Sequence, residues 1–285
     1  MTITVRRVVG VLASAVLAAA GLTAATAPAQ AAAPSGGYVS LGDSLAFGYQ
    51  QVLFDAHATA TDYVGYAEDY AAMKNLSLAN FACPGETSDS LIHGGCGYQL
   101  AGLPMHMAYS GSQLNAALAY LAGHPNTSLV TVDIGSNDLL HAIDLCRPTP
   151  DLMSCLAQSL PAVLNNLVNN YAYVLGHVHA VAPGARLVVM GLYNPLALSL
   201  SGSDMLLTQV VNPTLAQMAA AVGAALHTQI AVADVFSRMN GREGSPAETA
   251  FVCSRTWMCR ISPPDIHATP LGYQQMAVAL LQSLR

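Results

Sequence analysis

Short apolar runs alternate along the chain with longer stretches in which apolar positions recur at helical spacing. Residues 38–41, 76–81, 129–134, 186–190 and 230–235 read as strands, the clearest being the buried-type run Leu-Val-Thr-Val-Asp-Ile at 129–134. Helical patterns fall at 62–73, 114–122, 159–181, 206–228 and 271–284. Gly123 and Pro125 close the second of these, and Pro183 with Gly184 follows the third. Pro213 lies inside the fourth and is expected to split or kink it. Strand and helix in alternation predict an α/β protein with a parallel sheet. Ligands of such sheets bind beyond the carboxyl ends of the strands, so those ends are where chemistry is sought. No internal repeat, acidic block or Pro/Gly/Ser linker interrupts the pattern after the first thirty-odd residues, which predicts one domain.

Those first residues follow a different rule. Arg6 and Arg7 precede an apolar stretch at 8–20, and Ala29-Gln30-Ala31 offers small residues at both positions of an A-x-A cleavage site. Residues 1–31 therefore read as a secretory signal peptide, with 32–285 as the mature domain, exported to the extracellular side. An uncleaved membrane anchor is the rival reading, but the stretch is rich in alanine and weakly apolar beside the roughly 20 residues a span requires. The most apolar later stretch, 215–230, is broken by Gln217, Gly223, His227 and Gln229, so no transmembrane segment is expected in the mature chain.

Composition narrows the function classes. Of 285 residues, 53% are hydrophobic and 9% charged, with a net charge of −6. That apolar content excludes a disordered polyelectrolyte. The one lysine is Lys74, and no basic run occurs beyond Arg6-Arg7, which argues against nucleic acid as a partner. Six cysteines, Cys83, Cys96, Cys146, Cys155, Cys253 and Cys259, all lie in the mature part, and an even count in an exported chain favours disulfides. Nearest-neighbour pairing is the simplest expectation. No C-x-x-C or closely spaced histidine pair has ligand spacing, so no metal is expected.

Four strand ends carry chemistry-bearing residues. After the first strand stands Gly42-Asp43-Ser44-Leu45, where Ser44 reads either as a nucleophile on a tight turn or as a helix cap. After the second, Gly85 is a backbone amide able to approach an oxyanion, or part of a cysteine-bearing turn. After the third, Gly135-Ser136-Asn137-Asp138 offers an asparagine amide for developing negative charge, or another cap. Before the last helix, Asp265-Ile266-His267 supplies a histidine, the usual base for a serine at neutral pH. The other eight histidines are expected at surface or satisfied polar positions.

In this order the four blocks resemble the SGNH hydrolases, the GDSL esterases and lipases, over Val39 to about Tyr273, and the cysteines and leader resemble its secreted bacterial branch. Gly42-Asp43-Ser44-Leu45 with Gly48 matches the first block, Asn80 and Gly85 the second, Gly135 to Asp138 the third, and Asp265 with His267 the last. The resemblance implies a flavodoxin-like three-layer α/β/α sandwich with a central parallel sheet of about five strands. It implies Ser44 as nucleophile, His267 as base, an oxyanion hole from the Ser44 amide, the Gly85 amide and the Asn137 side chain, and no cofactor. One position departs from the family. The aspartate usually stands three residues before the histidine, and that position is Pro264 here. Three orienters of His267 stay open: Asp265, a backbone carbonyl such as that of Pro264, and a distant carboxylate such as Asp234. The activity implied is hydrolysis of a small-molecule or lipid ester by a monomer. Rival readings are a carbohydrate deacetylase or acyltransferase on the same fold, and a non-catalytic binding module. Loop-like stretches 91–110 and 194–203 contain Leu, Met and Tyr, and either reads as an apolar substrate mouth or as core and lid packing.

Overall fold

The computed structural model describes residues 35–285 apart from Glu243 and Pro246. The leader at 1–31 lies outside the described residues. Five strands, β1 (Gly37–Gly42), β2 (Ser77–Asn80), β3 (Thr127–Asp133), β4 (Arg186–Met190) and β5 (Ile230–Ala233), form one parallel sheet in the order β2-β1-β3-β4-β5. The chain steps from β1 outward to β2 and then back across to β3. The carboxyl ends of β1 and β3 therefore border the point where the winding reverses, the usual position of a ligand in such sheets.

Side chains alternate between two cores. Val39, Leu41, Val130, Val132, Leu187 and Val189 face one side, packed with the helices Gln113–Gly123, Leu152–Val181 and Asn212–Ala225. Tyr38, Leu129, Val188 and Met190 face the other, packed with Tyr66–Lys74 and Pro270–Ser283. Burial on both faces explains why these strands are almost continuously apolar. It also makes the three layers.

The long helix Leu152–Val181 buries Leu164, Leu167, Tyr171, Val174, Leu175 and Val178, a stripe at three- and four-residue spacing. It starts earlier than the pattern suggested. Asp151 caps it through Ser154 N at 3.0 Å, and Pro161 sits within it rather than at its start. The stretch at 206–228 is divided: Ser203–Leu206 is helical, Leu207–Val211 is a π turn, and the regular helix begins at Asn212 with Pro213 in its first turn. The π turn just before Pro213 is the local widening that lets a helical path continue past a residue with no N–H. The segment at 62–73 is helical only from Tyr66, after a 3-10 turn at Ala60–Asp62. The short helices Ser136–Cys146 and Glu248–Arg255 complete the layers.

All six cysteines pair as nearest neighbours: Cys83–Cys96, Cys146–Cys155 and Cys253–Cys259, with Cα atoms 6.4, 5.6 and 5.0 Å apart. Among the described residues, no helix is long and apolar enough to cross a membrane.

Candidate active site

Ser44 is delivered by the end of β1. Gly42 faces Asp133 across the strand pair with φ +147°, and a Cβ there would stand 2.1 Å from the Asp133 carbonyl oxygen. Only glycine permits that turn. Asp43 then caps a single helical turn, Ser44–Phe47, its Oδ1 accepting from Leu45 N at 2.9 Å, and Gly48 in the left-handed region ends it. A single turn carries little aligned helix dipole. What this turn presents is the Ser44 hydroxyl and its own backbone amide.

The His267 ring lies over that hydroxyl, Nε2 to Oγ 3.0 Å, across 223 positions of sequence. Its Nδ1 contacts Asp265 Oδ1. The same carboxylate oxygen accepts the His267 backbone N–H at 3.1 Å. That local turn, an aspartate bonding its own backbone two residues on, brings both side chains to one side. A spacing one residue shorter than the family's is thereby accommodated. Asp265 Oδ2 accepts from Gln51 N at 3.1 Å. Burial raises the Asp265 pKa, but hydrogen bonds and charge from His267 and the two backbone amides outweigh it, and the net shift is downward. Asp265 is thus held as a carboxylate. Of the other two orienters considered, Asp234 is exposed and caps the helix Val235–Met239 through Ser237 N at 3.0 Å, and Nδ1 is taken by Asp265 rather than by the Pro264 carbonyl.

The histidine segment is braced from three sides. Tyr49 packs on the imidazole at 4.7 Å between ring centroids. Tyr193 Oη donates to the Ile266 carbonyl at 2.6 Å. Trp257 N donates to the His267 carbonyl at 3.0 Å, and the indole N–H to Gln50 Oε1 at 3.2 Å. Trp257 therefore ties the histidine segment to the residues after β1, beyond any packing on the nearby disulfide.

The loops after β2 and β3 meet beside the serine. Gly85 has φ +83°. Its neighbour Glu86 accepts from Asn137 Nδ2 on the backbone carbonyl at 2.8 Å, which sets the Gly85 loop against the asparagine. Asp138 fixes the same junction by accepting from Ser88 N at 2.9 Å and Ser88 Oγ at 2.6 Å. Tyr171 of the long helix pins the end of β3 just before this block, donating to the Ile134 carbonyl at 2.8 Å and accepting from Ile134 N at 3.2 Å. Asn80 lies further back, donating to the Ala46 carbonyl and to Glu68 Oε1, both at 2.8 Å. It supports the serine turn from behind.

Beneath the serine, Asp43 and Asp133 are fully buried. Loss of solvation pushes the Asp43 carboxyl up to about 7. Loss of solvation, reinforced by Asp43, pushes Asp133 well above the usual carboxylate range. Glu86 is raised by burial as well.

An apolar cleft opens directly from Ser44 and His267. Leu139, Leu140 and Ile143 of the helix after β3 form one wall. Leu192, Leu196, Leu200, Leu206 and Leu207 form the other, with Tyr193 and Ile266 near the triad. The stretch 194–203 thus contributes to the mouth, whereas 91–110 does not line it. The wall from Ser136–Cys146 had no signal of its own in the apolar pattern. Gln113 and Glu86 were equally silent, because single polar residues joined to distant partners leave no periodicity.

A three-layer α/β/α sandwich with a Ser-His-Asp contact at the reversal point of its sheet defines a serine hydrolase architecture. The sequence profile of the GDSL-like lipase/acylhydrolase family matches residues 40–275, and the chain belongs to that family. It is accordingly a carboxylic ester hydrolase, which sets aside a non-catalytic binding module. Its fold is similar to that of phospholipase A1 from Streptomyces albidoflavus NA297, with a TM-score of 0.58 and 20% identity over 87% of this chain and 99% of that one. An extracellular lipase from Streptomyces rimosus gives 0.56 and 20% over 87% and 100%. An acetylxylan esterase from Geobacillus stearothermophilus gives 0.53 and 13% over 88% and 95%. The search of curated proteins gives no match.

Proposed function

We propose that the chain is an exported serine esterase of the lipase type that takes esters with an apolar acyl chain. The observation that carries this reading is the leucine-lined cleft running directly from Ser44 Oγ. Ile143 lies six positions beyond Asn137 on the helix that forms one wall, about 9 Å at the helical rise. A medium-length acyl chain fits that run. The signal-peptide pattern at 1–31 and three disulfides support export.

In this reading His267 Nε2 takes the Ser44 proton as Oγ attacks the ester carbonyl. Asp265 keeps the second imidazole proton on Nδ1 and stabilises the imidazolium. The Ser44 amide, the Gly85 amide and the Asn137 side chain receive the charge on the carbonyl oxygen. Collapse returns the proton from Nε2 to the leaving alcohol and leaves an acyl-serine. Water, deprotonated by the same His267, then releases the acid. No step needs a cofactor.

A carbohydrate deacetylase needs aromatic platforms at its mouth. Here the lining aromatic is Tyr193, already bonded to the Ile266 carbonyl, and Trp257 is engaged with Gln50.

The test is hydrolysis of p-nitrophenyl acetate, butyrate, octanoate and palmitate by the purified mature chain and by Ser44→Ala. We expect activity that rises from acetate to a medium chain and is abolished in the folded variant. A preference for acetate would overturn the acyl-cleft reading. A folded Ser44→Ala with undiminished activity would overturn the nucleophile.

A further inference from the structure

The three groups assigned to the oxyanion hole come from three separate loops, after β1, β2 and β3. Their relative positions must hold to a fraction of an ångström for the donors to converge on one oxygen. One side chain outside all three loops reaches between them. Gln113, the first residue of the helix Gln113–Gly123, is 1% exposed. Its Oε1 accepts from Gly42 N at 2.6 Å, and its Nε2 donates to the Gly42 carbonyl at 2.9 Å. The amide thus pairs with both polar groups of Gly42, much as a neighbouring strand would. The same Nε2 donates to Glu86 Oε2 at 3.1 Å. Glu86 then accepts from Asn137 Nδ2 on its backbone carbonyl at 2.8 Å. A continuous chain of hydrogen bonds runs from the peptide two residues before the nucleophile, through Gln113, to the residue after Gly85 and on to Asn137.

We propose that Gln113 is a positioning residue that sets the spacing of the oxyanion-hole loops. It rests on the serine-hydrolase reading above. The amide also satisfies the buried Gly42 N–H, which an apolar residue would leave unpaired at a cost of about 1–3 kcal/mol, but its nitrogen reaches on to the loop after β2. Both ends are used: the oxygen for Gly42 N–H, and the nitrogen for the Glu86 carboxyl and for the Gly42 carbonyl, which also accepts from Cys83 N at 3.1 Å. Its effect is on transition-state stabilisation and not on substrate affinity, because it does not line the cleft.

The test is Gln113→Glu in the mature chain, with Gln113→Met as the uncharged partner. Glutamate keeps the shape and the acceptor for Gly42 N–H but loses the donor. Once ionised, it sets a carboxylate against the Gly42 carbonyl and the Glu86 carboxyl; once protonated, it donates again. Tyr109, Asp43, Asp133 and Asp138 are the other titratable groups near this cluster. We expect kcat on a soluble ester to fall roughly tenfold to a hundredfold at alkaline pH with KM little changed. The loss should be recovered progressively as the pH is lowered from about 9 to about 6, the range in which buried carboxyls titrate. Gln113→Met should lose a similar factor at every pH. Its Ser44 should also react more slowly with a p-nitrophenyl phosphonate, whose attack needs the same donors. Folded variants with wild-type kcat and pH profile would overturn the proposal, as would a loss seen only in melting temperature. If Gln113→Glu does not fold, the phosphonate rate of Gln113→Met decides. Ser44→Ala run alongside separates the two failures: if it stays active the serine-hydrolase reading falls, and if it is dead while the Gln113 variants are unaffected only this inference falls.

Discussion

Replacing Asp265 by asparagine should cost this enzyme less than the same change costs a serine-protease triad. The reason lies in the hydrogen-bond count at the carboxylate. Oδ1 receives two donors, the His267 backbone N–H and Nδ1, and Oδ2 receives one, from Gln51 N. An asparagine must put its carbonyl oxygen at one site and its NH2 at the other. Facing two donors with oxygen and one with nitrogen is the better choice, so the oxygen stays with His267. The tautomer that leaves Nε2 free to accept from Ser44 is then preserved. What disappears is the negative charge beside the imidazolium. A hydrogen bond to a charged group contributes about 1.5–3 kcal/mol, which corresponds to a roughly 10- to 150-fold loss of turnover. The NH2 opposite Gln51 N–H adds a stability cost of about 1–3 kcal/mol. The assay is kcat/KM on a soluble p-nitrophenyl ester, with urea unfolding of the same samples and His267→Ala as the inactive reference. A loss below about threefold would remove Asp265 from the mechanism. A loss near ~10⁴, as in protease triads with the wrong tautomer, would show that the amide turns its nitrogen to His267 and refute the donor count.

Asp43→Asn should change how stability depends on pH. A carboxyl raised from 3.8 to about 7 in the fold binds a proton that the unfolded chain has already lost, so wild-type stability falls as the pH rises from about 4 to about 7 and is then flat. The neutral variant keeps its oxygen for Leu45 N and should gain on the order of 4 kcal/mol over wild type at pH above 7, with the difference vanishing below about 4; equal urea midpoints at both ends would refute this. Ile143→Trp should fill the far end of the cleft, reducing octanoate hydrolysis about tenfold or more while sparing acetate, as read from kcat/KM across the ester series. Replacing Cys146 and Cys155 together by serine opens a loop spanning 9 positions and should cost about 2–3 kcal/mol in unfolding free energy with kcat unchanged.

How much of this was legible beforehand varies by element. β4 matched its apolar run residue for residue because both faces of the strand are buried and nothing polar interrupts it. The helix Leu152–Val181 begins seven residues before the pattern at 159–181, and of those seven residues Leu156 alone is buried. The blocks bring Ser44, His267 and Asp265 into contact, yet the choice among the three orienters depended on a backbone turn two residues long, which sequence spacing does not reveal. Gln113 left no trace at all. Its partners Gly42 and Glu86 lie 71 and 27 positions away, so only the folded chain brings them together.

The pairing of each cysteine with the next one along the chain has a bearing on how the protein is made. If the chain is exported as proposed, amino end first, Cys83 emerges ahead of its mate Cys96, and the same order holds for the other two pairs. The rings span 13, 9 and 6 positions, whereas mispairing Cys96 with Cys146 would close one of 50. The longer closure is less favourable by about 1 kcal/mol, so diffusion and order of emergence favour the same bonds. Under the proposed export, oxidation in order of emergence therefore favours the native connectivity over its nearest rival.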